Sequence, residues 1–178
     1  CAMTSFSDDP FAPLMRRVAD GDSAAFAELI AGTRTLVAGI VYRFLGHARE
    51  TEDLAQEVYL RAWMARKRWQ PKARVTTWLA TIASRLCLNE RPRLARRRTL
   101  PEQDVAAAED GRIGEDEAQG VRQAVLSLPD DQRMAVALKY FGERTDREVA
   151  EALDLSLSAA QALLFRARRK LIDLLPPP

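Results

Sequence analysis

Apolar residues recur at three- and four-residue intervals along most of this chain, and nowhere do they alternate with polar residues for long. A half-buried strand needs period-two alternation rich in β-branched residues, so its absence removes β architectures and leaves helices. A first helix is predicted from about Pro10 to Ala19, stopping at Asp20-Gly21. Asp22 or Ser23 can cap the second, in which Phe26, Leu29, Ile30, Leu36, Val37, Ile40, Val41 and Phe44 mark a buried stripe ending before Gly46. A third is predicted from near Glu50 to about Lys67, with Leu54, Val58 and Leu60-Ala62 facing inward. The fourth starts at Thr76 or Thr77 and ends at Arg91, because Pro92 disfavours the α conformation in the residue before it. Beyond a second proline-containing turn, Ser127-Leu128-Pro129, lies a helix from Asp130 to Phe141, preceded by one at about Glu117 to Leu126.

Charge divides these helices into two groups. The chain has 178 residues, enough for one domain or two small ones, and a net charge of +2. From Arg61 to Arg98 twelve basic residues meet a single acid, Glu90, a local balance of +11. From Glu102 to Glu117 the order reverses: seven acids accompany Arg112 alone, with Gly111, Gly114 and few large apolar residues. The acidic stretch reads as a flexible linker. The basic run also contains Trp63, Trp69 and Trp78; cations that neutralise phosphates among aromatics that stack on bases suit a nucleic-acid surface. The expected fold is all-α: two small helical bundles joined by a flexible linker.

Composition excludes several functions. Two cysteines and one histidine cannot build a disulfide framework or a Cys/His zinc site. His47, in a Gly-His-Ala loop, has no nucleophile or metal ligand at recognisable spacing, and Cys87 reads as a packed thiol. No catalytic residue, metal or cofactor is expected. Charges break every apolar run short of the roughly 20 residues a bilayer span needs, and they interrupt any signal-peptide pattern near the start. A soluble cytoplasmic chain without membrane insertion is expected, with no added domain beyond Pro176-Pro177-Pro178.

The C-terminal segment from Thr145 has the form of a helix-turn-helix. Thr145 can cap a short helix with Glu148 completing a capping box, and Val149, Ala150 and Leu153 form its apolar face. Asp154-Leu155 makes the turn and Ser156 can cap the next helix. There Ala160, Leu163, Leu164, Ala167, Leu171 and Leu174 fall on one stripe. The opposite face carries Ser158, Ala162, Phe165, Arg166 and Arg169, flanked by Gln161 and Arg168. Such a helix can enter a major groove, with an amide reading a base edge and arginines holding phosphate or guanine.

Two features of the first bundle await a partner. Glu50, Glu52, Asp53, Gln56 and Glu57 crowd the start of the third helix, which suits either the helix dipole or a basic protein surface. In the fourth helix Trp78, Arg85 and Asn89 line up along the edge of the core stripe. The loop Arg68-Trp69-Gln70-Pro71-Lys72-Ala73-Arg74 adds an aromatic and further cations beside them, a wall able to hold an unpaired base.

Glu52-Asp53-Leu54-Ala55-Gln56-Glu57-Val58-Tyr59-Leu60-Arg61-Ala62-Trp63 and Thr77-Trp78-Leu79-Ala80-Thr81-Ile82-Ala83 resemble region two of the extracytoplasmic-function sigma factors of bacterial RNA polymerase. Leu128-Pro129-Asp130-Asp131-Gln132-Arg133, Glu148-Val149-Ala150-Glu151-Ala152-Leu153 and Leu164-Phe165-Arg166-Ala167-Arg168-Arg169-Lys170-Leu171 resemble region four of the same family. The resemblance implies a region-two domain at 9–98, a linker at 99–116 and a region-four domain at 117–178. It implies that Glu52, Asp53, Gln56 and Glu57 bind the β′ clamp helices of core polymerase. Arg68, Trp69, Arg74, Trp78, Arg85 and Asn89 would open the −10 element and hold a flipped base. Ser158, Gln161, Ala162, Phe165, Arg166 and Arg169 would meet the −35 element. The implied partners are core RNA polymerase through its β and β′ subunits, promoter DNA and an anti-sigma factor. A stand-alone helix-turn-helix regulator is the rival reading. Pro92 is expected to leave Arg93 to Arg98 as a mobile arm.

Overall fold

A computed structural model describes residues 9–46, 48–97 and 115–175. Every regular element among them is helical: α1 Ala12–Ala19, α2 Ser23–Leu45, α3 Ala48–Ala65, a 3₁₀ turn Arg66–Arg68, α4 Val75–Arg97, α5 Glu115–Leu126, α6 Asp130–Val136, α7 Asp146–Leu153 and α8 Leu157–Leu174. The expected caps are in place. Asp22 accepts the Ala25 N–H at 3.0 Å to start α2. Gly46 ends it in the left-handed conformation, where a side chain would also collide with Leu126, 2.7 Å from the Cβ position. His47 and most of the acidic linker lie outside the described residues.

Helix α2 is the centre of the molecule. By length and composition alone it could cross a membrane, against the sequence expectation that every apolar run is too short. Its apolar residues are instead used in packing: Leu29, Val37, Ile40, Val41 and Phe44 are buried, with α1, α3 and α4 around them. On the α3 side Phe26 packs edge-on against Tyr59 and lies 5.0 Å from Trp63, and the hydroxyls of Tyr59 and Thr33 hydrogen-bond at 2.9 Å. Trp63, one of the three tryptophans in the basic run, is thereby a core-anchoring residue with Arg66 stacked 4.2 Å above it. Cys87 is a packed thiol, as expected; burial pushes its pKa up to about 12.

The fourth helix differs from expectation. It runs through Pro92 to Arg97, so Arg93 to Arg97 belong to the helix and are not an arm, while Arg98 lies outside the described residues. A proline costs a helix one hydrogen bond and a local bend but does not forbid continuation. Leu94-Ala95-Arg96-Arg97 are strong helix formers that resume the helix on its far side. The helix expected over Asp130–Phe141 is also modified: α6 gives way at Ala137 to a π-helical turn, Ala137–Phe141.

The two helical groups share a core. One buried apolar cluster contains Val37, Ile40, Leu79 and Ala83 from the first group and Met134, Leu138, Val149 and Ala152 from the second. Helices α2 and α4 form one side of this seam and α5, α6, the π turn and α7 the other. Polar contacts border it. Arg133 donates to the Phe44 carbonyl at 3.1 Å, Arg122 to the Tyr42 hydroxyl at 2.9 Å, and Ser84 to the Ala152 carbonyl at 3.0 Å. Arg43 lies 4.2 Å over the Phe141 ring.

Candidate functional site

Three outward faces carry the residues singled out in the sequence. On α3, Glu52, Asp53 and Gln56 are exposed, and Glu57 accepts a 2.8 Å hydrogen bond from Arg61 one turn on. The inward positions are Thr51, Val58, Tyr59 and Ala62. Leu60, expected inward, is 53% exposed, because it stands 200° from Val58 around the helix. Together with Met64, 74% exposed, it extends the acidic stripe by two turns. The face is therefore acidic at its start and apolar at its end, a combination suited to docking on a protein surface with basic and apolar parts. Its spacing, 53, 56, 57, 60 and 64, was legible; the assumption that a leucine points inward hid it.

The second face joins the 3₁₀ turn, the following loop and α4. Arg68, Lys72, Arg74, Arg85 and Asn89 are exposed. Trp69 and Trp78 are half-buried against the core, the Trp69 indole nitrogen being turned inward. Trp78, Arg85 and Asn89 lie along one edge of α4, as the 100° periodicity predicts. The α4 stripe through Thr77 and Ser84 is turned about 100° away from Arg85 and meets α7 instead.

That seam contains an unexpected polar cluster. Thr77 donates to Glu148 Oε1 at 2.6 Å, and Arg144 donates to the Thr76 hydroxyl at 2.8 Å and to Glu148 at 3.3 Å. Glu148 also closes the capping box, its Oε2 accepting from the Thr145 N–H at 2.9 Å while the Thr145 hydroxyl accepts from the Glu148 N–H. Burial works against the Glu148 charge, but hydrogen bonds from Thr77 and Thr145 and the Arg144 charge outweigh it and hold the pKa below the usual carboxylate value.

The third face is the helix-turn-helix. Asp154 makes the turn in the left-handed conformation (φ 57°), and Ser156 caps α8 through the Ala159 N–H at 3.2 Å. Ala160, Leu163, Leu164 and Ala167 are buried beneath α8, whereas Leu174, expected on the same stripe, is 48% exposed beyond the last supporting helix. Ser158, Gln161, Ala162, Phe165, Arg166 and Arg169 are all exposed. A shallow groove of about 480 Å³ beside α8 is lined by Asp146, Gln161, Ala162, Phe165, Arg166 and Arg168. Its rim holds residues missed in the sequence. Lys139 pairs with Asp146 at 2.7 Å, and a hydrogen bond from Lys139, then its charge, lowers the Asp146 pKa against burial. The Tyr140 hydroxyl accepts from Arg168 at 2.5 Å, and Tyr140 sits on the π turn. The signal available was the basic-aromatic pair Lys139-Tyr140 near the end of the helix expected over Asp130–Phe141.

Comparison with known proteins gives two family matches. Sigma-70 region 2 matches residues 29–99, and Sigma-70, region 4 matches residues 118–171. The ECF RNA polymerase sigma factor SigK of Mycobacterium tuberculosis (strain ATCC 25618 / H37Rv) is 34% identical over 169 residues, spanning 89% of this chain and 89% of that protein. The chain belongs to the extracytoplasmic-function (ECF) sigma factors. SigW of Bacillus subtilis (strain 168) is 28% identical over 88% of this sigma factor and 92% of its own length. Two solved structures share the fold. CnrH in complex with the cytosolic domain of CnrY has a TM-score of 0.67 at 22% identity, covering 90% of this chain and 94% of that one. RpoE from Bartonella quintana in complex with the anti-sigma factor NepR has a TM-score of 0.70 at 19% identity, covering 84% and 95%. Like its family, this sigma factor binds RNA polymerase and directs it to promoters; it is an initiation factor and not an enzyme.

Proposed function

We propose that the three faces divide this work. The acidic-apolar face of α3 (Glu52, Asp53, Gln56 and Glu57, continued by Leu60 and Met64) binds the β′ clamp helices. The loop and α4 edge (Arg68, Trp69, Arg74, Trp78, Arg85 and Asn89) open the −10 element and hold a displaced base. The exposed face of α8 (Ser158, Gln161, Ala162, Phe165, Arg166 and Arg169) reads the −35 element. The working units are a region-two domain at 9–98, a linker at 99–116 and a region-four domain at 117–178. Core polymerase and the chromosome place its action in the cytoplasm. An anti-sigma factor restrains it by covering these faces.

The supporting observation is that the charged and polar members of all three residue sets lie on outward faces, with Trp69 and Trp78 half-buried at the core edge, while the two helical groups share a core. The docked arrangement cannot serve both promoter elements at once. Helices α4 and α8 both pack on α7, and a compact body of 178 residues has a radius of gyration of roughly 16 Å, which keeps its faces within about 40 Å of one another. Elements named −35 and −10 are about 25 base pairs apart, roughly 85 Å of duplex. The domains must separate on polymerase, and an extended linker of this length reaches about 60 Å, with the breadth of the domains themselves adding to that reach.

The test is transcription with purified core polymerase. Arg166→Ala and Arg169→Ala each weaken −35 binding, and a phosphate-contacting arginine lowers the salt slope by about 1. Unchanged affinity at matched salt removes α8 from the assignment. A stand-alone regulator would instead footprint duplex DNA tightly without polymerase.

A further inference from the structure

Asp9 precedes α1 and is 6% exposed, yet none of the three faces includes it. Its Oδ2 accepts the N–H of Val75, the first residue of α4, at 2.6 Å across 66 residues of sequence. Its Oδ1 accepts the Phe11 N–H at 3.0 Å, and its carbonyl accepts the Ala12 N–H at 3.1 Å. Phe11 in turn packs on α2 at Gly32, where a Cβ would come within 2.6 Å of the ring. Segment 9–11 is thus a hook fastened to α2 at one end and to the start of α4 at the other.

The residues flanking the start of α4 do not supply what this carboxylate does. A helix start needs an acceptor for its first N–H groups, and a negative charge there also favours the helix dipole. Arg74, immediately before α4, has no acceptor in its side chain. The hydroxyls of Thr76 and Thr77 are engaged across the seam with Arg144 and Glu148. We infer that Asp9 is a positioning residue for promoter opening: its carboxylate fixes the point where the cationic loop Arg68–Arg74 becomes α4, and so the placement of Trp69, Arg74 and Trp78. The Trp78 N–H to Arg74 carbonyl bond, 3.0 Å long, belongs to the turn that Asp9 closes. This rests on the assignment of that loop and helix to the −10 element.

The experiment uses the full chain bound to core polymerase, with Asp9→Ala, Asp9→Asn and Trp78→Ala. Open-complex formation is followed on a duplex promoter and on the same promoter already unpaired across its −10 element. Core affinity is measured in parallel. Asp9→Ala should slow opening of the duplex about tenfold while staying within about twofold of the parent on the unpaired template and in core affinity. Asp9→Asn, which keeps an oxygen acceptor for the Val75 N–H, should recover part of the rate. The inference is overturned if Asp9→Ala loses activity equally on both templates together with core affinity, since the residue then only stabilises the domain. It is also overturned if Trp78→Ala slows opening and Asp9→Ala does not. If Trp78→Ala leaves duplex opening unchanged, the −10 assignment itself fails and the inference falls with it.

Discussion

Removing the Arg133 guanidinium should be among the most damaging single changes to this fold. The side chain is 6% exposed and ties three places together. Nη1 donates to the Phe44 carbonyl at 3.1 Å, in the last turn of α2. Nη2 donates to the carbonyls of Leu126 at 2.6 Å and Leu128 at 2.9 Å, at the end of α5 and in the turn that follows. Asp130 lies 3.3 Å away, and the Phe44 ring faces the cation at 5.6 Å. Arg133→Met keeps most of the apolar stem and removes every donor, so lost packing contributes little. Hydrogen bonds to a charged group contribute about 1.5–3 kcal/mol each, but the freed carbonyls partly rehydrate and Asp130 is left near the surface. The expected loss is roughly 3–5 kcal/mol, three such bonds less what rehydration recovers. For a chain of this size that is a fall in Tm of about 10 °C or more. Urea unfolding followed by circular dichroism gives the loss directly. Arg133→Lys should recover only part, because an ammonium cannot reproduce the planar fork. A loss below about 1 kcal/mol for Arg133→Met would refute the reasoning, showing that water replaces the guanidinium at all three carbonyls.

Glu148 predicts a pH dependence. Its folded pKa is lowered, so its contribution is complete above the unfolded value of 4.5 and is lost as pH falls through the folded value. Acid unfolding of the parent should therefore show a component that Glu148→Gln lacks; superimposable acid limbs would exclude it. Asp154→Gly should raise stability by about 0.5–1 kcal/mol, since a β-carbon is disfavoured at φ 57°. A lower Tm for that variant would mean that the aspartate makes a compensating local contact.

The legible part of this molecule was the part set by neighbours in sequence. Thr145 with Glu148, Asp22 and Ser156 were readable because a cap and its N–H lie within three residues. The exposed face of α8 followed from the 3.6-residue period. What escaped depends on distant partners. The apolar chemistry of Leu60 and the stripe position of Leu174 point inward, yet both side chains are about half exposed. The local preference of Pro92 is to end a helix, while strong helix formers beyond it carry α4 onward. Asp9 looked like an ordinary charge near the start of the chain, because its partner is 66 residues away. Glu148 was read correctly as a cap, but a capping carboxylate has a second oxygen. Only the approach of α4 shows that Thr77 binds it.

The make-up of the seam bears on how the domains could separate. A group of helices as small as α5–α8 buries proportionally less surface than a larger one, so docking Leu138 and Met134 against α2 gives it additional core. Were the whole seam apolar, parting it would expose that surface with no compensation from water. Thr76, Thr77, Ser84, Arg144 and Glu148 instead hydrogen-bond across the α4–α7 contact, and each of these groups can be solvated once exposed. Exchanging such bonds for bonds to water changes the free energy far less than leaving them unmade. The α4–α7 contact is therefore the side of the seam at which a competing surface can begin to part the domains. The apolar contact of Ile40 with the π turn at Leu138 and Gly142 opposes it. Replacing Ser84 and Thr77 with alanine tests this division. Alanine in their place removes the Ser84 donor from the Ala152 carbonyl and the Thr77 donor from Glu148, which keeps Arg144 and Thr145, so the pair should loosen the seam without exposing the Ile40 side. Hydrogen exchange should then rise in α7 and hold steady around Ile40; a uniform rise over both would show that the seam opens as one unit.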